Sequence, residues 1–280
     1  MRRLAALAAL AGAGACERVV ALDLAQAPSR LVVEARLERV LGASGHPQVI
    51  TLSTTAPYFS GSAPPPARGA VVRVTDDLGR VTAFAEGEPG RYGATLMVER
   101  GRRYTLRIDV AGERYEAVEA TQTVPPIDSL YFMAPKPGRF SGTGGVRATI
   151  DLVDPAGVRN FYLWEQWVGG VRQLGPDSTV KLRVIAPDDA LDGRPVKEFQ
   201  PFEGIDIPLG SAVLVRQVAL SEATYRYLYA LNDQLGQGGS LFAVPPASVR
   251  GNVANRTAPD RPALGYFAVG EVAEARATRR

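Results

Sequence analysis

The chain has one cysteine, one histidine and three lysines among its 280 residues. With Cys16 alone, no disulfide can form within it, and His46 adds too little for a zinc site of the Cys/His type. A Ser/His/Asp or Cys/His mechanism would have to run through that one imidazole. His46 sits in Ser44-Gly45-His46-Pro47 and reads as a solvated turn residue. No apolar run approaches the ~20 residues that carry a helix across a bilayer. No stretch concentrates basic residues with interleaved aromatics, so nucleic acid is not an expected partner. No glycine-rich loop follows a strand and opens a helix, which leaves nucleotide binding without support.

The remaining composition is that of a packed fold, 46% hydrophobic and 22% charged, with a formal net charge of +3. Two of those positive charges are Arg2 and Arg3, at the head of a segment with its own logic. They precede an apolar stretch over Leu4–Leu10, small residues, and then Cys16 directly after Gly14-Ala15. A positive start, a short apolar core and small residues form a secretory signal peptide, expected over residues 1–15. Cleavage before Cys16 and acylation of its thiol would make a lipoprotein. Ala13-Gly14-Ala15 also satisfies the ordinary A-x-A rule, which would leave a free N-terminal cysteine. Of 32 basic residues only Lys136, Lys181 and Lys197 are lysine. Arginine suits bidentate carboxylate and phosphate contacts, while GC-rich coding would also enrich it, along with Ala and Gly.

After Cys16 the pattern is strands and turns. Expected strands cover 30–37, 49–54, 70–75, 80–84, 91–96, 103–110 and 115–120. Asp76-Asp77-Leu78-Gly79, Glu88-Pro89-Gly90 and Ala111-Gly112-Glu113 turn the chain between them. Such spacing indicates a β-sandwich over residues 16–124. Three prolines in Gly61-Ser-Ala-Pro-Pro-Pro66 mark a surface loop. Val124-Pro125-Pro126-Ile127-Asp128 opens an expected linker over 125–145, stiff and exposed. The rest, 146–280, reads as a second β-rich domain with strands at 146–153, 160–168, 181–185, 205–208, 213–220 and 264–272. Within 160–168, Phe161, Leu163 and Trp167 share one face and Tyr162, Trp164 and Val168 the other, as in a strand covered on both sides. One helix is expected near 221–235, capped by Ser221, with a stripe of Tyr225, Leu228, Leu231 and Leu235. The fold class is therefore mainly β, two sandwich-type domains, the second with one packed α-helix.

Several motifs recur in an order that is specific. They are Cys16-Glu17, Leu31-Val-Val-Glu34, Pro57-Tyr58-Phe59, Gly69-Ala-Val-Val-Arg-Val74, Gly90-Arg-Tyr92 and Tyr104-Thr-Leu106. The second half adds Asn160-Phe-Tyr162, the 225–235 stretch, Pro245-Pro246, Asn252 or Asn255, and Leu264-Gly-Tyr-Phe267. Together the chain resembles the Bacteroidetes-type lipoproteins of domain-of-unknown-function family 4249. The resemblance implies an outer-membrane lipoprotein whose first domain is immunoglobulin-like or transthyretin-like. It also implies a place beside a TonB-dependent outer-membrane receptor, and it carries over no catalytic residue or cofactor.

Candidate chemistry is sparse. Asp188, Asp189 and Asp192 crowd one glycine-turned loop and offer hard oxygen ligands for calcium, although their spacing is not that of an EF-hand and turn aspartates do the same. Asp76 and Asp77 are accounted for by their turn. Glu165, between Trp164 and Trp167, is the acid set among aromatics; glycoside cleavage would need a second carboxylate nearby. Those aromatics, with Tyr162, either stack on sugar rings or pack a core. Loops at the sandwich ends are the expected contact surfaces: Tyr58 and Phe59 in the first domain, Phe242, Asn252 and Asn255 in the second. The expected function is non-enzymatic. It is either an accessory to a TonB-dependent transporter, anchored to the membrane through Cys16, or a surface module that binds glycan or protein.

Overall fold

The computed structural model describes residues 28–56, 62–135, 145–176, 181–189, 191–236 and 249–280. Cys16, Tyr58, Phe59 and Phe242 lie outside these residues. The described chain is mainly β. It opens with β1 (Leu31–Val40), β2 (His46–Thr54), β3 (Val71–Asp76), β4 (Val81–Glu86), β5 (Arg91–Leu96), β6 (Arg103–Val110) and β7 (Glu113–Ala120). Then follow β8 (Ser129–Met133), β9 (Arg147–Val153), β10 (Phe161–Val168), β11 (Val171–Gln173), β12 (Val184–Pro187) and β13 (Pro195–Phe199). β14 (Ala212–Leu220), α1 (Glu222–Gly236), β15 (Ala254–Asn255) and β16 (Leu264–Thr278) complete it.

The first seven strands match the alternation that marks them in the sequence. Along β1, Leu31, Val33, Ala35 and Leu37 are buried, and the intervening residues face away. The strands pair antiparallel in the order β1-β2-β5-β4-β3-β6-β7. β4 turns the corner: its first residues pair with β3, and Ala85 and Glu86 pair with β5. The sheet thus folds over a core of Leu37, Ile50, Leu52, Tyr92, Leu106 and Ile108, giving the sandwich-like form. The turns are built as expected. Asp76 Oδ1 accepts from the Leu78 and Arg80 amides, and Gly79 supplies a φ of 79°. The proline-rich loop is less detached than its composition suggests. Pro65 cannot donate, but its carbonyl accepts from Thr54 N, and Ala67 N donates to Leu52 O.

β16 reaches into this first unit from the far end of the chain. It pairs parallel with β1 over nine registered positions, from Val32↔Leu264 to Val40↔Val272. Its other edge changes partner along its length. At Phe267 the Asn252 side chain stands in for a strand, with Nδ2 donating to the carbonyl and Oδ1 accepting from the amide. At Gly270 the neighbour is Gln122, just after β7. From Val272 onward it is β14. On the inner face, Phe267 and Val269 belong to the first core and Ala273 to the second. Glu271 sits between those cores, fully buried, and accepts from Arg39 at 2.8 Å, Arg100 at 2.8 and 2.9 Å, and the Val124 amide at 3.3 Å.

The second core lies between β10 and β14 on one side and the small sheet β13-β9-β8 on the other, with Tyr162, Trp164, Ile150, Phe202 and Val215 within it. α1 covers the opposite face over Phe161, Leu163, Val218 and Leu220. Ser221 caps it, accepting from Thr224 N at 3.2 Å. Four expectations need correction. Val124 and Pro125 are buried rather than an exposed linker, because the chain crosses there under Glu271. The division at residues 125–145 is also bridged, since the last strand of the second half completes the first core. Leu235 is exposed, so the apolar stripe of α1 ends before it and the buried face runs through Thr224 and Leu228. Residues 205–208 form no strand, although Ile205 and Ile207 are buried.

Gly265 tests this pairing. Its φ is 88°, and a Cβ there would lie 1.9 Å from the Val33 carbonyl oxygen in the facing strand. Gly265→Ala should therefore cost about 3 kcal/mol or more in urea denaturation. An unchanged midpoint would contradict the β1–β16 contact.

Candidate functional site

β10 explains where the charged site arises. Its inward residues Tyr162 and Trp164 enter the second core, and its outward residues Phe161 and Leu163 lie under α1. Next on the outward face come Glu165 and Trp167, beyond the cover of the helix. The facing position on β14 is Arg216, and opposite that on β16 is Glu274. β1 adds Arg36 and Glu38, which fall between its core-facing residues.

These side chains form one continuous ion network. Glu165 has a side chain only 2% exposed and accepts from Arg36 at 3.1–3.2 Å, Arg216 at 3.0 Å and Arg172 at 2.6 Å. Arg36 Nε pairs with Glu38 at 2.5 Å, and Arg216 also pairs with Glu38 and, at 3.0 Å, with Glu274. Trp167 lies beneath the guanidinium groups of Arg172 and Arg216, 5.7 and 5.8 Å from its ring centre. Burial alone would push the Glu165 carboxyl up. The charges of Arg36, Arg172 and Arg216 outweigh it and hold the group below the usual carboxylate range. Burial likewise works against the charge of Arg36, and Glu165 and Glu38 override it and raise its pKa. A solvent-open groove of about 360 Å³ lies over this network, with Glu34, His46, Arg172, Arg183 and Tyr266 among its walls.

Other sequence candidates have different places. Glu165 is a buried ion-pair centre, whereas a glycosidase acid needs a raised pKa. Trp164 and Tyr162 are core residues: Trp164 Nε1 donates to Gln217 at 3.0 Å and the Tyr162 hydroxyl to Asp154 at 2.8 Å. His46 lies 3.6 Å from Glu38 at the start of β2. The three loop aspartates bind protein groups. Asp188 accepts from Asn160 N, Asp189 pairs with Arg159, and Asp192 accepts from Gly157 N. Among the described residues no group of three or more His, Cys, Asp or Glu could hold a metal ion. Asn252 and Asn255 point inward. Asn252 also donates to Glu119, while Asn255 accepts from Thr257 and Ala258 and donates to Glu113 and Arg261. They build the loop instead of presenting a contact. Cys16, Tyr58, Phe59 and Phe242 fall outside the described residues.

Sequence reading missed Arg36, Arg216 and Glu271. A signal existed for the first, because Glu34, Arg36 and Glu38 alternate with apolar residues and mark a charged strand face.

Replacing Glu165 by Gln would leave Arg36, Arg172 and Arg216 facing an uncharged amide. Loss of one partner in a buried ion pair costs about 3–5 kcal/mol, and Glu165→Gln should show a loss of that order at pH 7 by denaturant titration. Because the folded carboxyl has a lowered pKa, its contribution is present above the ordinary carboxylate range and is lost as pH falls through the lowered value. The gap between the two proteins should therefore narrow in acid. A gap that widens there would contradict the network.

Residues 17–276 match the model of a protein family described as Domain of unknown function (DUF4249). No curated protein matches the chain. The match spans both halves, including β1 and the strand β16 that completes its sheet, and on that evidence the chain belongs to this family.

Proposed function

We propose that the protein is a lipid-anchored binding module of the outer membrane, working beside a TonB-dependent transporter in nutrient uptake. The observation that carries this reading is the position of Cys16. It follows Gly14-Ala15 at the end of a signal-like segment, and the family match starts at the next residue. Among the described residues no helix is long and apolar enough to cross a membrane, so in this reading attachment rests on acyl chains at Cys16. Between Cys16 and β1 stand residues 17–30. Fully extended, a segment of that length reaches about 50 Å. The β-fold would then stay within one protein diameter of the bilayer, where tethering raises its effective concentration beside a neighbouring barrel.

The family relation adds no chemistry. A rigid, mainly β scaffold with a groove and exposed loops suits holding a ligand or a second protein.

Cys16→Ala should move the protein from the membrane fraction to the soluble fraction. Wild-type protein that is soluble and carries a free thiol at Cys16 would refute the anchor. Mild-detergent purification from the native envelope should recover a TonB-dependent barrel in near-equal amount. Repeated recovery of the protein alone, with growth on every nutrient unchanged by deletion, would favour a surface module that binds glycan or protein.

A further inference from the structure

The groove over Glu165 holds hydrogen-bond donors that the fold does not use. Arg183 is the clearest. Its backbone is pinned on both sides by one side chain of α1: Asn232 Oδ1 accepts from its amide at 2.9 Å, and Asn232 Nδ2 donates to its carbonyl at 2.8 Å. Arg183 lines the groove, half-buried, and its side chain makes no ion pair among the described residues. A charge whose backbone is fixed and whose head is unpaired is available to a ligand.

Its neighbours explain why no protein carboxylate satisfies it. β12 pairs with β10 over Phe161–Trp164 and β11 over Gln166–Val168, so Glu165 falls at the gap between the two edge strands. Arg172 approaches from β11, and Arg183 stands just before β12. Both Glu165 oxygens are already taken by Arg36, Arg172 and Arg216. Arg172 spends only Nη2 on Glu165, and stacking on Trp167 steadies the rest of its fork, which is about half exposed. Tyr266 lines the same groove, and its side chain makes no hydrogen bond among the described residues. Its ring is held against Tyr227, 5.6 Å away. The two arginine forks and the phenol are all donors.

We propose that this groove binds a small molecule through a singly charged carboxylate, with Arg183 as the principal contact and Arg172 and Tyr266 as supporting donors. Planar guanidinium groups match a carboxylate with paired hydrogen bonds. The carboxylates of β1 set the charge, with Glu34 in register beside Tyr266. Glu34 and Glu38 face the groove from β1, so a multiply charged anion would meet repulsion that a monoanion largely escapes. This inference is independent of the lipid anchor.

The test is an NMR titration of the full-length, 15N-labelled protein with acetate, inorganic phosphate and chloride at matched ionic strength, read at the arginine Nε–Hε resonances. Acetate should shift Arg183 saturably, with a weaker response at Arg172. Arg183→Gln keeps the backbone bonds to Asn232 and removes no side-chain hydrogen bond or ion pair among the described residues, so it should leave the amide spectrum largely in place and weaken acetate by about tenfold. Tyr266→Phe should weaken it by a few fold. Acetate shifts that grow linearly like those of chloride, or that persist at Arg172 unchanged in Arg183→Gln, would overturn the site. Tighter binding of phosphate than of acetate would overturn the choice of a monoanion.

Discussion

The parallel pairing of β1 with β16 is the constraint on which the rest of the molecule depends. Parallel neighbours need a crossover, and here it is nearly the whole described chain, from Val40 round to Leu264. The first core is incomplete without Phe267 and Val269 from that last strand. The first unit is therefore finished only when the end of the chain has come back. The cost is a long loop closure, which grows only slowly with length, and the gain is a sheet whose edge at β1 is covered.

One strand serves two cores because its second edge is passed from partner to partner. Asn252, then Gln122, then β14 occupy it in turn. At the point of exchange the inner face carries Glu271, buried and tied to β1, to the loop after β5 and to Val124. A buried carboxylate there is matched by two arginines and an amide, so its desolvation is offset by directed bonds that no apolar residue could supply. The outer face carries the second ion network around Glu165, and the two networks flank the same strand.

Much of this was legible from local pattern. The first seven strands, β9, β10, β14 and the capped helix follow from alternation, turn glycines and Ser221, since those signals act within a few residues. The two faces of β10 are legible for the same reason: Tyr162 and Trp164 enter one core, Phe161 and Leu163 the other. What sequence could not show is which distant strand completes the β1 sheet, because an apolar edge does not name its partner. Glu165 stands out in the sequence for its aromatic neighbours. Its three arginines come from residues 36, 172 and 216, brought together only by the topology. Asn252 and Asn255 look like loop contacts until the backbone they serve is visible. The short β8, β11 and β13 carry too few residues for a period to register.

The central claim is that β16 makes the two halves one cooperative unit. Hydrogen exchange across increasing urea, followed by mass spectrometry of peptides from β1, β6, β14 and β16, tests it directly. The account predicts that these strands lose protection together, in one transition with a common free energy. Full protection of β9, β10 and β14 persisting after β1 to β7 have opened would contradict it, because the halves would then be stable apart.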